Sequence, residues 1–217
     1  MMNLGLAESG KALSILCLGA HSDDIEIGVG GTILSLIHSG VQLHVDWCVM
    51  SGGDIRSEEA RASAKDFLKG AASSRVEVAD FEDSLFPAQS PAIKEWLKDL
   101  RVRTRPDIIF THSRNDAHQD HREISQLTWN IFRDQLILEY EIPKWDGDLG
   151  QPNTYVPLSG NIMEKKIALL LAYFGTQRSK DWFDAETFQG LARLRGMECR
   201  APDRYAEAFT MRKARLF

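Results

Sequence analysis

Cysteine is scarce in this sequence, and the few present are scattered. Cys17, Cys48 and Cys199 are the three cysteines among 217 residues, an odd number at wide spacing that does not suit a disulfide framework. Two of them fall within apolar, strand-like runs and are typical of small buried side chains. The cysteine pattern predicts a reducing compartment, and we expect the protein in the cytoplasm.

Long apolar runs and clusters of basic residues are also missing. No run approaches the roughly 18 apolar residues of a membrane span, and residues 1–11 lack the charged head and apolar stretch of a secretory signal. The net charge is −5, from 26 Lys and Arg against 31 Asp and Glu, with no basic stripe to neutralise phosphates. The sequence thus argues against a membrane span and against nucleic acid as a partner.

What is present is the composition of a folded α/β chain. Apolar residues make up 43% and charged residues 26%, and the length suits one domain, 1–217. Short apolar runs alternate with helical patterns, which indicates a Rossmann-like, mostly parallel sheet with helices on both faces. Strands are predicted at 13–18, 42–50, 75–81, 106–111, 154–158 and 205–210. Helices are predicted at 32–38, 57–69, 92–103, 123–136, 161–173 and 184–194.

A polar cluster follows the first predicted strand at once. Strand 13–18 leads into His21, Ser22, Asp23 and Asp24, and in an open α/β sheet this edge is where ligands bind. A His and an Asp three positions apart can bind one divalent ion, and imidazole with carboxylate suits zinc. The remaining carboxylate is then free to act as a base on a water molecule.

The same stretch also permits a structural role or a nucleotide-binding role. In the structural role, Asp23 and Asp24 would cap the following helix, with His21 filling a polar turn. A nucleotide-binding turn is suggested by Gly28-Val-Gly-Gly31. Its spacing is not G-x-G-x-x-G, however, and no glycine precedes the polar cluster in the position that cradles phosphate.

A second polar cluster repeats the arrangement after the strand at 106–111. Within ten residues it holds three of the six histidines of the chain and two aspartates: His112, Asp116, His118, Asp120 and His121. A catalytic zinc takes three protein ligands and leaves one position for water, so the first cluster needs one more ligand from elsewhere. Together the two clusters complete a His/Asp plus His set around one metal.

These clusters resemble a known family. Ala20-His21-Ser22-Asp23-Asp24 and His118-Gln119-Asp120-His121 are similar to the paired motifs of the PIG-L/LmbE-like N-deacetylases, usually Ala-His-Pro-Asp-Asp and His-x-Asp-His. The likeness also covers Arg56 and Asp83. Ser22 departs from the usual proline, which loosens the preset φ of the turn but removes no ligand.

The resemblance implies a zinc-dependent hydrolase that removes an acetyl group from an N-acetylated amino sugar or sugar conjugate. By motif position it implies His21, Asp24 and His121 as the ligands of Zn²⁺ or another divalent metal. Members of the family often assemble as trimers or hexamers, so it also implies a homo-oligomer. The alternative is a metal-dependent amidase or esterase with a non-sugar substrate, because metal-activated water attacks esters and amides alike.

The resemblance implies roles for the other residues as well. Asp23 matches the general base, His118 the oxyanion-stabilising or acid residue, and Asp120 the carboxylate that orients His118. Arg56 and Asp83 match substrate-contacting positions.

The stretch at about 138–160 is expected to form a loop-rich substrate rim. It is rich in aromatic residues, Gly and Pro, and a long ordered loop is uncommon unless it has a function. Trp145 and Tyr155 suit stacking on a sugar face, and they equally suit pinning the loop to the core.

Overall fold

The structure, a computed structural model, describes Met1 and residues 3–215. The strands are β1 Ala12–Gly19, β2 Gln42–Val49, β3 Ser73–Val78, β4 Ile108–His112, β5 Leu136–Tyr140, β6 Thr154–Leu158 and β7 Tyr205–Met211. The helices are α1 Asp24–His38, α2 Gly53–Phe67, α3 Phe86–Arg103, α4 Gln119–Ile131, α5 Gly160–Tyr173 and α6 Ala185–Cys199, with a 3₁₀ turn at Gly175–Gln177.

The strands form one sheet in the order β3-β2-β1-β4-β5-β7-β6. The five strands from β3 to β5 pair in parallel, and β7 is antiparallel to both of its neighbours. The prediction of a mostly parallel α/β sheet is confirmed.

Both faces of the sheet are covered, which explains the continuous apolar run of β1. Ile15 and Cys17 point into one core, and Leu16 and Leu18 point into the other. Helices α3 and α4 contribute to the second core, and α1, α2, α5 and α6 to the first. Strands buried on both faces lose the polar alternation of a half-exposed strand.

The first helix begins much earlier than the predicted 32–38. It starts at Asp24, although the glycines of its first turns each disfavour a helix by about 1 kcal/mol relative to alanine. Tertiary contacts favour the helix here. A Cβ on Gly28 would overlap the ring of Tyr140, so glycine permits this close packing, and the Glu207 carboxylate accepts two N–H groups of the helix at 2.7 Å.

The predicted helix 123–136 is wrong at both ends. Helix α4 begins at Gln119 because His118 is its N-cap and its ring accepts the N–H of Asp120 at 3.2 Å. It ends at Ile131, and the following apolar residues form β5, which the sequence pattern did not reveal. A strand of five residues cannot be distinguished from a helix end by periodicity.

Helices α2 and α3 also begin before their predicted starts. Helix α2 begins at Gly53, so Ser57 lies inside it instead of at the N-cap. Helix α3 begins at Phe86 instead of 92, with Pro87 in its first turn, where the missing N–H of proline costs nothing.

The other general predictions concern compartment and assembly. All three cysteines are free, with Cys17 and Cys48 buried. None of the helices described has both the length and the apolar composition to cross a bilayer. The cytoplasmic location and the homo-oligomer stay predictions.

Candidate active site

The two polar clusters meet at the carboxyl edge of the sheet, where β1 and β4 are neighbours. The chain leaves β1 toward β2 and leaves β4 toward β5, on opposite sides. The loops therefore diverge and open a crevice, the usual ligand position in such sheets. A cavity of about 240 Å³ lies there, lined by side chains from both clusters.

Three buried side chains converge at the bottom of this cavity. His21 Nδ1 lies 3.1 Å from His121 Nε2 and 3.4 Å from Asp24 Oδ2, and His121 Nε2 lies 3.5 Å from Asp24 Oδ1. Tetrahedral ligands at zinc bond lengths of about 2.0–2.1 Å are separated by about 3.3–3.4 Å. Each histidine nitrogen thus faces a different oxygen of the Asp24 carboxylate, and the two nitrogens and this carboxylate lie close enough to hold one divalent ion.

Neighbouring carboxylates set which ring nitrogen of each histidine faces the cavity. His21 Nε2 lies 3.2 Å from Asp120 Oδ2 and 3.1 Å from Asp83 Oδ1, and His121 Nδ1 lies 2.9 Å from Asp116 Oδ2. With the N–H groups donated to carboxylates, the lone pairs of His21 Nδ1 and His121 Nε2 face each other. Carboxylate partners of this kind orient metal-binding histidines.

The surroundings of the two histidines shift their pKa values in opposite directions. Burial lowers the pKa of His121 to about 4, so this ring is neutral. Burial also lowers the pKa of His21, but hydrogen bonds to Asp120 and Asp24 outweigh it and raise that pKa well above 6.5. The surroundings of His21 therefore favour a positive charge at this position, and a metal ion would compete with a proton for it.

Asp23 is buried beside the three converging side chains without joining them. Its carboxylate lies 3.4 Å from Arg56 Nη2. Burial and the neighbouring Asp24 raise the pKa of Asp23 above its usual value near 3.8, against the opposing charge of Arg56. Although Asp23 occupies the N-cap of α1, its side chain makes no capping hydrogen bond. Capping thus does not explain this residue.

The contact expected between the Asp120 carboxylate and His118 is absent. That carboxylate instead contacts His21 and accepts the N–H groups of Ser84 at 2.6 Å and Phe86 at 3.1 Å. Residues two apart on a helix do not face each other, and Asp120 is in the first turn of α4. What reaches the His118 ring is the backbone N–H of Asp120.

This backbone contact determines the proton position on the neutral His118 ring. Because Nδ1 accepts the N–H of Asp120, the proton lies on Nε2. Burial and the nearby His21 ring lower the pKa of His118. His118 is thus a neutral hydrogen-bond donor at the wall of the cavity.

Arg56 and Asp83 form an ion pair at the cavity wall. Arg56 Nη1 lies 2.9 Å from Asp83 Oδ2, and Arg56 Nε donates to the hydroxyl of Ser22 at 3.1 Å. Ser22, the departure from the family motif, therefore helps to hold the arginine over the cavity.

His112 is a buried residue at the site to which the sequence assigned no role. Its ring stacks on His121 with centroids 3.9 Å apart. His112 Nε2 lies 3.2 Å from Asp24 Oδ2, accepts the N–H of Ala20 at 2.9 Å and lies 3.1 Å from the hydroxyl of Tyr140. The residue supports two of the three converging side chains. The only sequence signal was its place in the second cluster.

Asp116 and Lys144 connect the site to residues 141–153, which join β5 to β6. Lys144 Nζ lies 3.0 Å from Asp116 Oδ1 and 2.6 Å from Asp148 Oδ2. Asp116 in turn holds His121, so the connecting segment reaches a converging histidine through one carboxylate. In the sequence Lys144 is a single lysine in a predicted loop, and nothing indicated its contact with Asp116.

Comparison with known proteins identifies the family. Residues 16–132 match the PIG-L family, described as GlcNAc-PI de-N-acetylase. The chain belongs to the PIG-L family. It is thus an N-deacetylase, a hydrolase of an amide carbon–nitrogen bond. It is 26% identical over 147 residues to the uncharacterized deacetylase YaiS of Escherichia coli K12, covering 64% of this chain and 78% of that protein.

Solved structures share the fold. N,N'-diacetylchitobiose deacetylase from Pyrococcus horikoshii aligns with a TM-score of 0.66 at 22% identity, covering 91% of this chain and 83% of that one. GalB, the 4-carboxy-2-hydroxymuconate hydratase of Pseudomonas putida KT2440, aligns with a TM-score of 0.74 at 21% identity, covering 94% and 97%. Because a hydratase has the same fold, the fold alone does not decide the reaction.

Proposed function

We propose that this PIG-L family member removes the acetyl group of an N-acetylated amino sugar or sugar conjugate with the help of a bound divalent metal, zinc in the first place. The observation that carries the proposal is the convergence of His21, Asp24 and His121 beside the buried Asp23, which does not join them. Two imidazoles and a carboxylate with one position left for water are the donor set of catalytic zinc.

His21, Asp24 and His121 would hold the metal. When bound, it would polarise the amide carbonyl and make the attacking water more acidic. The carboxylates of Asp120 and Asp116 would keep the two histidines in the required tautomers.

Asp23 would accept the proton of the attacking water. It is buried next to the ligand set and its pKa is raised, which makes it a stronger base than an exposed aspartate. The charge of Arg56, 3.4 Å from this carboxylate, opposes the effect of burial and favours the ionised form that a base needs.

His118 would donate a hydrogen bond from its Nε2–H group to the oxygen on which negative charge develops, and would keep its proton. The capping contact with the N–H of Asp120 supports this tautomer. Donors in such positions stabilise the transition state by about 3 kcal/mol. Arg56 and Asp83 would contact the hydroxyl groups of the substrate, and residues 138–160 would supply its rim.

An amidase or esterase with a non-sugar substrate is the alternative. The experiment that separates the two measures acetate release by the zinc-loaded protein from N-acetylglucosamine conjugates, from simple acetyl esters and from non-sugar acetamides. Release from the sugars alone supports the proposal. Release from esters or simple amides at equal rates would overturn the sugar assignment.

A further inference from the structure

The cavity has a second wall that the proposed reaction does not use. Apart from the histidine and aspartate cluster, the cavity is lined by Trp145 from the segment 141–153 and by Lys180 and Trp182 from the stretch between α5 and α6. The two walls thus differ in chemistry, and the second combines indole rings with a cation.

Trp145 is exposed yet fixed in position. The residue is 66% exposed. Its Nε1 nevertheless donates a hydrogen bond to Asp181 Oδ1 at 2.6 Å, and its ring contacts the Trp182 ring edge-on, with 6.2 Å between the centroids. An indole that is held by its polar end leaves its apolar faces open for stacking.

Lys180 differs from the other cations of this cavity in its partners. Arg56 and Lys144 each contact two carboxylates. Across residues 3–215, Lys180 forms no ion pair, and its Nζ lies 5.5 Å from the centre of the Trp182 ring. Contact with the ring limits the freedom of the lysine without cancelling its charge.

We propose that Trp145, Trp182 and Lys180 form a second subsite for the unit attached to the acetylated sugar, and that this unit carries an anion, a phosphate or a carboxylate. The unit packs on the indole of Trp145, and its anionic group pairs with Lys180. The inference rests on the proposed deacetylation, and it narrows the substrate to an anionic conjugate instead of a free neutral sugar.

Asp146 also lines the cavity and opposes an anion. It is exposed to solvent, whereas Lys180 is half-buried, and solvent screens an exposed charge more strongly. Of the other carboxylates that line the cavity, Asp23 and Asp83 contact Arg56, and Asp24 belongs to the proposed metal ligands. Asp146→Asn should therefore strengthen the preference for anions.

The test compares four substrates with the zinc-loaded protein. They are N-acetylglucosamine, N-acetylglucosamine 1-phosphate, N,N'-diacetylchitobiose and a disaccharide of N-acetylglucosamine linked to glucuronic acid. The phosphate and the carboxylate arms distinguish the two sources of the anion. We expect kcat/KM to rise about tenfold or more with an anionic unit, the order of a charge-assisted hydrogen bond.

The charge of Lys180 also lowers the pKa of Asp23, so Lys180→Met should change kcat alike for all four substrates. The additional loss, in KM, should be confined to the anionic substrates, and Lys180→Arg should restore most of it. Lys165→Met is the matched control, because it removes the same charge from the exposed surface of α5. Trp145→Ala should weaken turnover of both disaccharides about tenfold, with Trp145→Phe close to the wild type.

The outcomes separate the two proposals. Equal kcat/KM for neutral and anionic substrates, or an equal effect of Lys180→Met on all four, would overturn the subsite while acetate release upholds deacetylation. No acetate from any of the four by protein that retains its metal would instead overturn the proposed function.

Discussion

The floor and the rim of the cavity are built in different ways. The floor consists of buried side chains that follow β1 and β4, such as His21 in the turn after β1 and His121 in the first turn of α4. Of the predicted rim 138–160, the two ends belong to β5, β6 and α5, and only residues 141–153 and 159 lie outside these elements; Trp145 in this segment is exposed. The rim segment is held by side-chain ion pairs, of which Lys144 to Asp116 and the bidentate contact of Arg195 with Glu141 are the main ones.

This difference separates chemistry from recognition. Floor side chains are positioned by strands buried on both faces, so a change there acts on the metal or on proton transfer. Rim side chains are held by a few buried ion pairs, so a change there acts on substrate binding. Lys144 is the exception, because its partner Asp116 also holds His121. Single substitutions in the floor and in the rim can test that division.

The largest effect is expected for His121→Ala. Without this ligand the site should lose zinc, and activity should fall by about 10³-fold or more, because both the metal and its acidified water are lost. Metal content by elemental analysis beside an acetate-release assay measures both. His44→Ala, which removes a histidine from β2 outside the site, is the control, and retention of zinc by His121→Ala would contradict the ligand assignment.

Asp23→Asn should abolish most activity with the metal retained. We expect kcat to fall by about 10²- to 10⁴-fold, the usual contribution of a general base, because the amide cannot accept the proton of water. Zinc stoichiometry should stay at the wild-type value. Full activity in this variant would end the assignment of Asp23 as the base.

Lys144→Met probes the contact between rim and floor. It leaves the Asp116 carboxylate without its cation, so His121 is less firmly oriented, and zinc affinity should fall about tenfold. Competition with a chromogenic chelator gives the affinity. Lys165→Met serves again as the charge-matched control. If affinity is unchanged while only KM rises, the rim acts on substrate alone.

Ser22→Ala should have the smallest effect. The change removes the hydroxyl that accepts from Arg56 Nε, while the pair of Arg56 with Asp83 persists. We expect KM to rise about two- to fivefold with kcat unchanged, the order of one hydrogen bond. Steady-state kinetics with N-acetylglucosamine 1-phosphate measures it, and a fall in kcat without a change in KM would speak against this positioning role.

The sequence predicted the sheet and the two polar clusters because their signals are local. An apolar run such as 13–18 indicates a buried strand without knowledge of its neighbours, and the polar residues after it lie at the strand's carboxyl edge. The start of α1 was not predictable in this way, because Gly28 is helical only against Tyr140, which lies far away in the chain.

The contacts that hold the rim could not be predicted from the sequence either. The link of Lys144 to Asp116 and the fixed position of Trp145 over Asp181 depend on segments that meet only in the folded chain. The sequence predicted that the Asp120 carboxylate contacts His118, whereas it contacts His21. The reason is that α4 starts at Gln119, which determines the direction of the Asp120 side chain. A short motif indicates which residue types are present, whereas the position of each residue on its helix determines which side chains it contacts.

The proposed chemistry depends above all on one ion between the two turns. Anomalous diffraction at the zinc absorption edge, from crystals of the zinc-loaded protein, locates that ion directly. We predict a single strong peak within about 2.2 Å of His21 Nδ1, His121 Nε2 and a carboxylate oxygen of Asp24. A peak bound by other residues, or none at this position in protein that carries zinc, would contradict the proposal.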